Sequence, residues 1–306
     1  MSATPSRAQA PALAGAPISW GVCEVPGWGT MLPPERVFGE MAQLGLQATE
    51  LGPVDDYLAL DAEAIRDALE PHGLRLVGGF VPLVLHGPDI TEALEQARRI
   101  GGVMAAAGAD TFVLAIIADA DWSAPPALNA EDWVRIGRHV DEVAAAVAEL
   151  GLTLAVHPHQ GTLIEEASDV QRLLETSTAG WCLDPGHLVI GGFDPVDFVR
   201  LHGDRIVHVH LKDVDRAIVT RLRAGELSLM EAVQAGLFRP LGRGDGRIAE
   251  VLELLREQGY GRWMVLEQDT AITGQEPPVG SGPINSVRES LAFLDTTAPE
   301  REEVRR

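Results

Sequence analysis

The chain has 306 residues, 46% hydrophobic and 23% charged, with 24 Lys plus Arg against 45 Asp plus Glu for a formal net charge of −21. That composition supplies a large apolar core, and so acidic a balance disfavours nucleic acid as a partner. The two cysteines, Cys23 and Cys182, are too few for a disulfide framework and point to a reducing cytoplasm. No stretch reaches the roughly 18 consecutive apolar residues of a membrane span.

Taken in chain order, residues 1–16 are small and Pro-rich without a continuous apolar segment, so they read as a flexible tail and not a signal peptide. Residues 17–297 read as a single domain. Short apolar, β-rich runs predict strands at Ile18–Val22, Ala48–Gly52, Arg75–Val81, Thr111–Ile117, Thr153–His159, Gly180–Asp184, Ile206–Lys212 and Trp263–Asp269. Amphipathic stretches alternate with them, at Pro34–Leu44, Ala62–His72, Thr91–Ala107, Glu131–Leu150, Ala167–Leu174, Asp194–Leu201, Ile248–Gln258 and, after the last strand, Ile284–Leu294. Such alternation builds parallel βαβ units, and eight strands with no break in rhythm favour closure into a (β/α)8 TIM barrel over an open doubly wound sheet. No GxGxxG or GxxxxGK[ST] follows a strand, which removes the usual reason to prefer the open sheet. One connection is long: Val214–Arg247 is an insertion at the barrel mouth, a candidate substrate wall or, equally, a packing element. Residues 298–306 read as a charged tail.

Barrel chemistry gathers at the carboxyl ends of the strands. The polar residues predicted there are Glu50, His86, His157, His159, Asp184, His187, His208, His210, Lys212, Asp213, Glu267 and Asp269, and they include six of the nine histidines in the chain. Alternation sends His208, His210 and Lys212 to one face of their strand and Val207, Val209 and Leu211 to the other. Burying such groups unpaired costs several kcal/mol each, a cost that a divalent cation relieves. Asp184, His210 and Glu267, from three successive strands, are the preferred ligands for manganese, cobalt or zinc. Trp20 and Trp28 are candidates to stack on a ligand, Cys23 reads as an inert thiol, and the LGRGDG loop at 241–246 is a weak anion signal.

The segments APISWGVCEVPGWG, ATELGP, LRLVGGFVPLVLH, HPHQGTLIE, CLDPGHL, HVHLKDV, AGELSLMEAVQAGLFRPLGRGD and WMVLEQD resemble the sugar phosphate isomerase/epimerase superfamily of xylose-isomerase-like barrels, and within it the inosose dehydratase branch, over roughly residues 16–296. The resemblance implies a divalent metal held by side chains from strands five to eight, with Asp184, His210 and Glu267 matching three of them. The fourth is usually a Glu at the end of the fifth strand, where this chain has His157 within VHPHQGT. Either His157 or its neighbour His159 takes that place, or water completes the set. Pro185 stands where Asp-Thr-Gly-His is usual.

The implied chemistry is dehydration of a keto-polyol such as 2-keto-myo-inositol through an enediolate. The same enediolate makes a sugar isomerase or ketose epimerase the alternative. His187 and Lys212 are the first candidates for proton transfer and charge stabilisation, with Glu50 and Asp269 behind them, while His159, His208, Trp20, His86 and Asp213 are candidates to bind substrate. Two further readings are a metal-dependent endonuclease, which the net charge opposes, and a non-catalytic ligand-binding barrel, which the His157 substitution would tolerate. The expected partner is a small polyol or sugar, with no nucleic acid and no membrane, and a homo-oligomer is a candidate because barrels with long mouth insertions often pair.

Overall fold

A computed structural model describes residues 12–23, 25–54 and 56–297. Its strands are β1 (Leu13–Gly15), β2 (Ala48–Leu51), β3 (Arg75–Leu83), β4 (Thr111–Ile116), β5 (Thr153–Val156), β6 (Gly180–Leu183), β7 (Ile206–Leu211), β8 (Asp213–Val214), β9 (Phe238–Arg239) and β10 (Met264–Leu266). Eight of these close in the order β1-β10-β7-β6-β5-β4-β3-β2, and β8 and β9 pair separately. Every barrel neighbour is parallel, and β1 joins β2 on one side and β10 on the other. The expected (β/α)8 barrel is the observed architecture.

The first strand is the main correction. It occupies Leu13–Gly15, inside the segment read as a tail, while the predicted strand Ile18–Val22 begins instead with a 3-10 turn over Pro17–Trp20. Pro17 has no amide to give a ladder and favours a helical start, and Gly21 ends the turn at φ 81. The turn carries Trp20 back onto α1 (Pro34–Gln43), where its Nε1 donates to Glu40 Oε2 at 2.8 Å. Of the tails read at 1–16 and 298–306, residues 1–11 and 298–306 lie outside the described residues.

The helices around the barrel are α2 (Ala62–Leu69), α3 (Thr91–Ala106), α4 (Ala130–Ala148), α5 (Ala167–Thr176), α6 (Pro185–Gly191), α7 (Pro195–His202), α10 (Ile248–Glu257) and α11 (Pro283–Thr297). Their starts are chemically marked: Asp61 caps α2, and Asn129 with Asp132 forms a capping box on α4. The helix α6 has no counterpart among the predicted elements. Asp184 caps it through Oδ1, which accepts from His187 N at 2.9 Å, and Pro185 occupies its first turn. No helix among the described residues is long and apolar enough to cross a membrane.

The insertion is built around α8 (Arg216–Arg223), α9 (Leu229–Gln234) and the β8–β9 pair. It has a small core of its own, including Val214, Ile218, Leu222, Val233 and Phe238, closed by Trp28. Asp213 anchors its return. The carboxylate accepts from Val214 N and Gly246 N on Oδ1, and from Gly242 N and Gly244 N on Oδ2, at 2.8–3.0 Å. The LGRGDG loop therefore does wrap an anion, one supplied by the chain itself.

Candidate active site

Alternation along β7 turns His208, His210 and Lys212 into the barrel, and all three are buried. Facing them from β2 is Glu50, next to a register shift between Thr49 and Glu50 that locally breaks the even ladder. Glu50 Oε1 lies 2.7 Å from His208 Nε2 and 3.1 Å from His210 Nε2. With Nε2 turned to Glu50, His210 presents Nδ1 to the mouth. There it meets Glu267 Oε2 at 2.8 Å, His157 Nε2 at 3.1 Å and Asp184 Oδ2 at 3.9 Å.

Beside this group lies Lys212, with Nζ 2.7 Å from Glu267 Oε1, 2.8 Å from Asp269 Oδ1, 3.5 Å from Asp184 Oδ2 and 3.1 Å from His187 Nε2. Burial works against its charge, but Asp269, Glu267 and Asp184 hold its pKa well above the usual value. Burial opposes the charge of His210 as well, yet the Cys182 sulfur, Glu267 and Glu50 raise its pKa. The carboxyls respond in kind. Against burial, His210 and the two histidine hydrogen bonds bring Glu50 down to about 2, and His210 and Lys212 hold Glu267 well below the usual range. Burial, helped by Glu267 and resisted by Lys212, pushes Asp269 up to about 6. Burial, with Lys212 and neighbouring histidines behind it, lowers His187 strongly and takes His159 to about 3.

The residues present fit a divalent cation. One ligand atom from each of Asp184, His210 and Glu267 lies within 4.8 Å of the others. Because Asp184 Oδ1 is used on α6, Oδ2 is left buried with no hydrogen-bond partner among the described residues. The cluster is also rich in carboxylates: Glu50, Asp184, Glu267 and Asp269 gather around Lys212 and His210, and His210 must give up its Nδ1 proton when it takes a cation. An oxygen-rich set with one imidazole suits manganese, cobalt or zinc. His157 Nε2 comes within 3.3 Å of Asp184 Oδ2, so it looks onto the same point. The mutually close set that includes His157, however, is His157, Cys182 and His210. His159 instead groups with His187 and Asp269.

A cavity of about 640 Å³ opens above, lined among others by Glu50, His159, His210, Glu267 and Asp269. Asp184, His157, His187 and Lys212 are buried and do not line it. Four residues expected to touch substrate also do not line it, and each is engaged elsewhere. Trp20 is in the core on Glu40, His208 is bound to Glu50, and Asp213 holds the insertion loop. His86 sits beside α4, its carbonyl accepting from Arg135 Nε at 3.1 Å. For Asp213 the sequence carried the sign: if Lys212 points inward, the next residue on the strand points out. The aromatic wall of the cavity is Phe80, Trp122 and Trp28. The Phe80 and Trp122 rings are stacked with centroids 6.3 Å apart, and Trp28 Nε1 donates to Thr270 O at 2.9 Å. Trp122 and Phe80 were not among the sequence candidates, because one is in an aperiodic loop and the other in a continuous apolar strand.

Residues 38–297 match the family described as xylose isomerase-like TIM barrel. Among characterised relatives, the chain is 33% identical over 262 residues to the rhizopine catabolism protein MocC of Rhizobium meliloti, covering 83% of this chain and 80% of that one. It is 29% identical over 272 residues to an inosose dehydratase of Geobacillus kaustophilus (strain HTA426), covering 84% and 87%. Among solved structures, D-allulose 3-epimerase from Methylomonas sp. in complex with D-allulose superposes with a TM-score of 0.69 at 14% identity, covering 94% and 97%, a likeness of fold.

Proposed function

Because the chain belongs to the xylose isomerase-like TIM barrel family and is an enzyme of it, we propose that it is a divalent-metal-dependent lyase that removes water from a keto-polyol, converting 2-keto-myo-inositol to a trihydroxycyclohexane-dione. The observation that carries the substrate class is the likeness to inosose dehydratase over 84% of the chain. The site adds a polar floor, an aromatic wall and a ready set of ligands for the metal. Neither Cys23 nor Cys182 is in a disulfide, in keeping with work in a reducing cytoplasm.

Asp184, His210 and Glu267 would hold the cation, which supplies Lewis acidity toward a ketone oxygen and its neighbouring hydroxyl. The chain does the rest. Phe80 and Trp122 offer a flat apolar surface to the C–H face of a ring, while Glu50 and Asp269 meet its hydroxyls. Asp269 and His159, which line the cavity, are our candidates to take the proton α to the carbonyl and to return it to the departing β-hydroxyl, so that water leaves. Lys212 and His187 lie beneath them and act as positioning residues. The ammonium fixes Glu267 and Asp269 through the 2.7 Å and 2.8 Å contacts, and His187 fills its remaining side.

The test is incubation of manganese- or cobalt-loaded protein with 2-keto-myo-inositol, followed by absorbance of the dione, alongside a panel of ketohexoses. Dione formation that stops on chelation and returns with metal is the expected result. Interconversion of ketohexoses without dione would replace the lyase with an epimerase, and equal turnover after chelation would remove the metal from the reaction.

A further inference from the structure

Cys182 is a buried nucleophile that the proposed reaction does not use. It stands two residues before Asp184 on β6, so alternation turns both into the barrel. A register shift between Trp181 and Cys182 sets Cys182 opposite His208 on β7. Below it are the apolar neighbours Val113 and Ala155. Above it are imidazoles: one ligand atom from each of His157, Cys182 and His210 lies within 4.8 Å of the others, and all three residues are 1% exposed.

Two observations set this trio apart from an ordinary core thiol. His157 Nδ1 is buried with no hydrogen-bond partner among the described residues, an unsatisfied donor or acceptor in the barrel interior. His157 Nε2 and His210 Nδ1 stand 3.1 Å apart. A tetrahedral zinc ion ~2.0–2.3 Å from nitrogen and sulfur ligands requires them roughly 3.5 Å from one another, so small side-chain rotations complete the set. The usual glutamate of the fifth strand would offer an oxygen here. With His157 in its place, the donors facing Cys182 are nitrogen, and a sulfur–nitrogen set selects softer cations than the oxygen-rich set above.

We propose that His157, Cys182 and His210 form a second, sulfur-containing cation pocket directly beneath the Asp184–His210–Glu267 set, one that takes strongly thiophilic divalent ions such as cadmium. His210 belongs to both sets, so the two are alternatives for one ion rather than sites that fill together. Hard cations such as manganese or magnesium take the upper, oxygen-rich position, and thiophilic ions draw down onto the sulfur. Binding replaces the S–H bond of Cys182 with an S–metal bond and the Nδ1–H bond of His210 with an N–metal bond, and both protons leave to solvent.

The experiment needs no substrate, so its outcome is separate from that of the dehydratase reading. Chelator-treated protein is titrated with cadmium chloride while the thiolate-to-metal absorption in the ultraviolet is followed, for the wild type, Cys182→Ser and Cys23→Ser. The expected result is a band that saturates at one ion per chain, survives in Cys23→Ser, vanishes in Cys182→Ser and does not arise with manganese. His157→Gln should weaken cadmium by about tenfold or more. No band in the wild type, or a band that persists in Cys182→Ser, overturns the proposal. Should Cys182→Ser fail to fold, Cys182→Ala and the cadmium NMR shift of the wild type, where a thiolate ligand is distinct from oxygen and nitrogen alone, decide the same question.

Discussion

Asp184 and Asp213 are both buried carboxylates just past the ends of neighbouring strands, and they do opposite things. Asp213 accepts four backbone N–H groups, two on each oxygen, and a Cβ at Gly244 would come within 2.5 Å of its Oδ1. Its lone pairs are filled by a loop that has folded around them. Asp184 spends one oxygen on α6 and leaves the other with no backbone donor, facing only the side chains of His157 at 3.3 Å and Lys212 at 3.5 Å. Burial and residue type do not tell the two apart. What tells them apart is whether the donors around the carboxylate are fixed backbone groups that already satisfy it, or side chains that a cation can displace. The first arrangement stabilises a fold and the second prepares a ligand.

The largest effect should come from breaking the second arrangement. Asp184→Asn and Glu267→Gln should each lower dione formation by about a thousandfold, roughly 4 kcal/mol of lost activation, and empty the metal in elemental analysis. Both should leave thermal unfolding of the metal-free protein close to wild type, since Lys212 keeps two of its three carboxylates. If either variant unfolds as readily as a core mutant, the contrast drawn above fails.

Asp213→Ala should do the reverse. It strands backbone donors at Val214, Gly242, Gly244 and Gly246, which is worth ~3 kcal/mol even if water reaches some of them. The urea midpoint should fall accordingly, while metal stoichiometry in the surviving native protein stays at the wild-type value. Loss of metal without loss of stability would place Asp213 in the site after all.

Glu50 lies between these extremes. It lines the cavity, yet its Oε1 is held by His208 and His210, so its part is to fix which nitrogen of His210 looks upward. Glu50→Gln should weaken cobalt or manganese binding by about 10–100-fold in a calorimetric titration, with kcat at saturating metal much less affected. A fall in kcat that excess metal does not rescue would make Glu50 a proton carrier instead.

How much of this was legible in the sequence follows from the range of each interaction. Strand alternation is local, and it put His208, His210 and Lys212 on one face, as the barrel has them. Seven of the eight strands were legible for the same reason. The first was not, because the apolar run at Ile18–Val22 looks like a strand until Pro17 and Gly21 are read as the two ends of a turn. The Glu50–His208 contact spans 158 residues and exists because the barrel closes, which no local pattern announces. The role of Asp213 depends on where the amides of a loop thirty residues downstream come to rest.

Trp122 is the residue with the weakest sequence signal and the smallest expected effect, and it sharpens the comparison from the substrate side. It sits after β4 in a loop with no period to read, at φ 55, a backbone conformation that non-glycine residues seldom adopt. Asp119 holds it there: the Asp119 carboxylate accepts from Asp121 N and Ser123 N on either side, and Trp122 N donates to Asp119 O at 3.1 Å. A local structure that keeps an indole in that conformation, parallel to Phe80 and 37% exposed on the cavity wall, has kept apolar area uncovered where a ring can use it. Trp122→Ala should therefore raise KM by about fivefold, ~1 kcal/mol of lost stacking, with kcat and metal content unchanged. Trp122→Phe should recover most of that loss, and a variant that lowers kcat at constant KM would show that the indole acts on the reacting atoms and not on the binding of the ring.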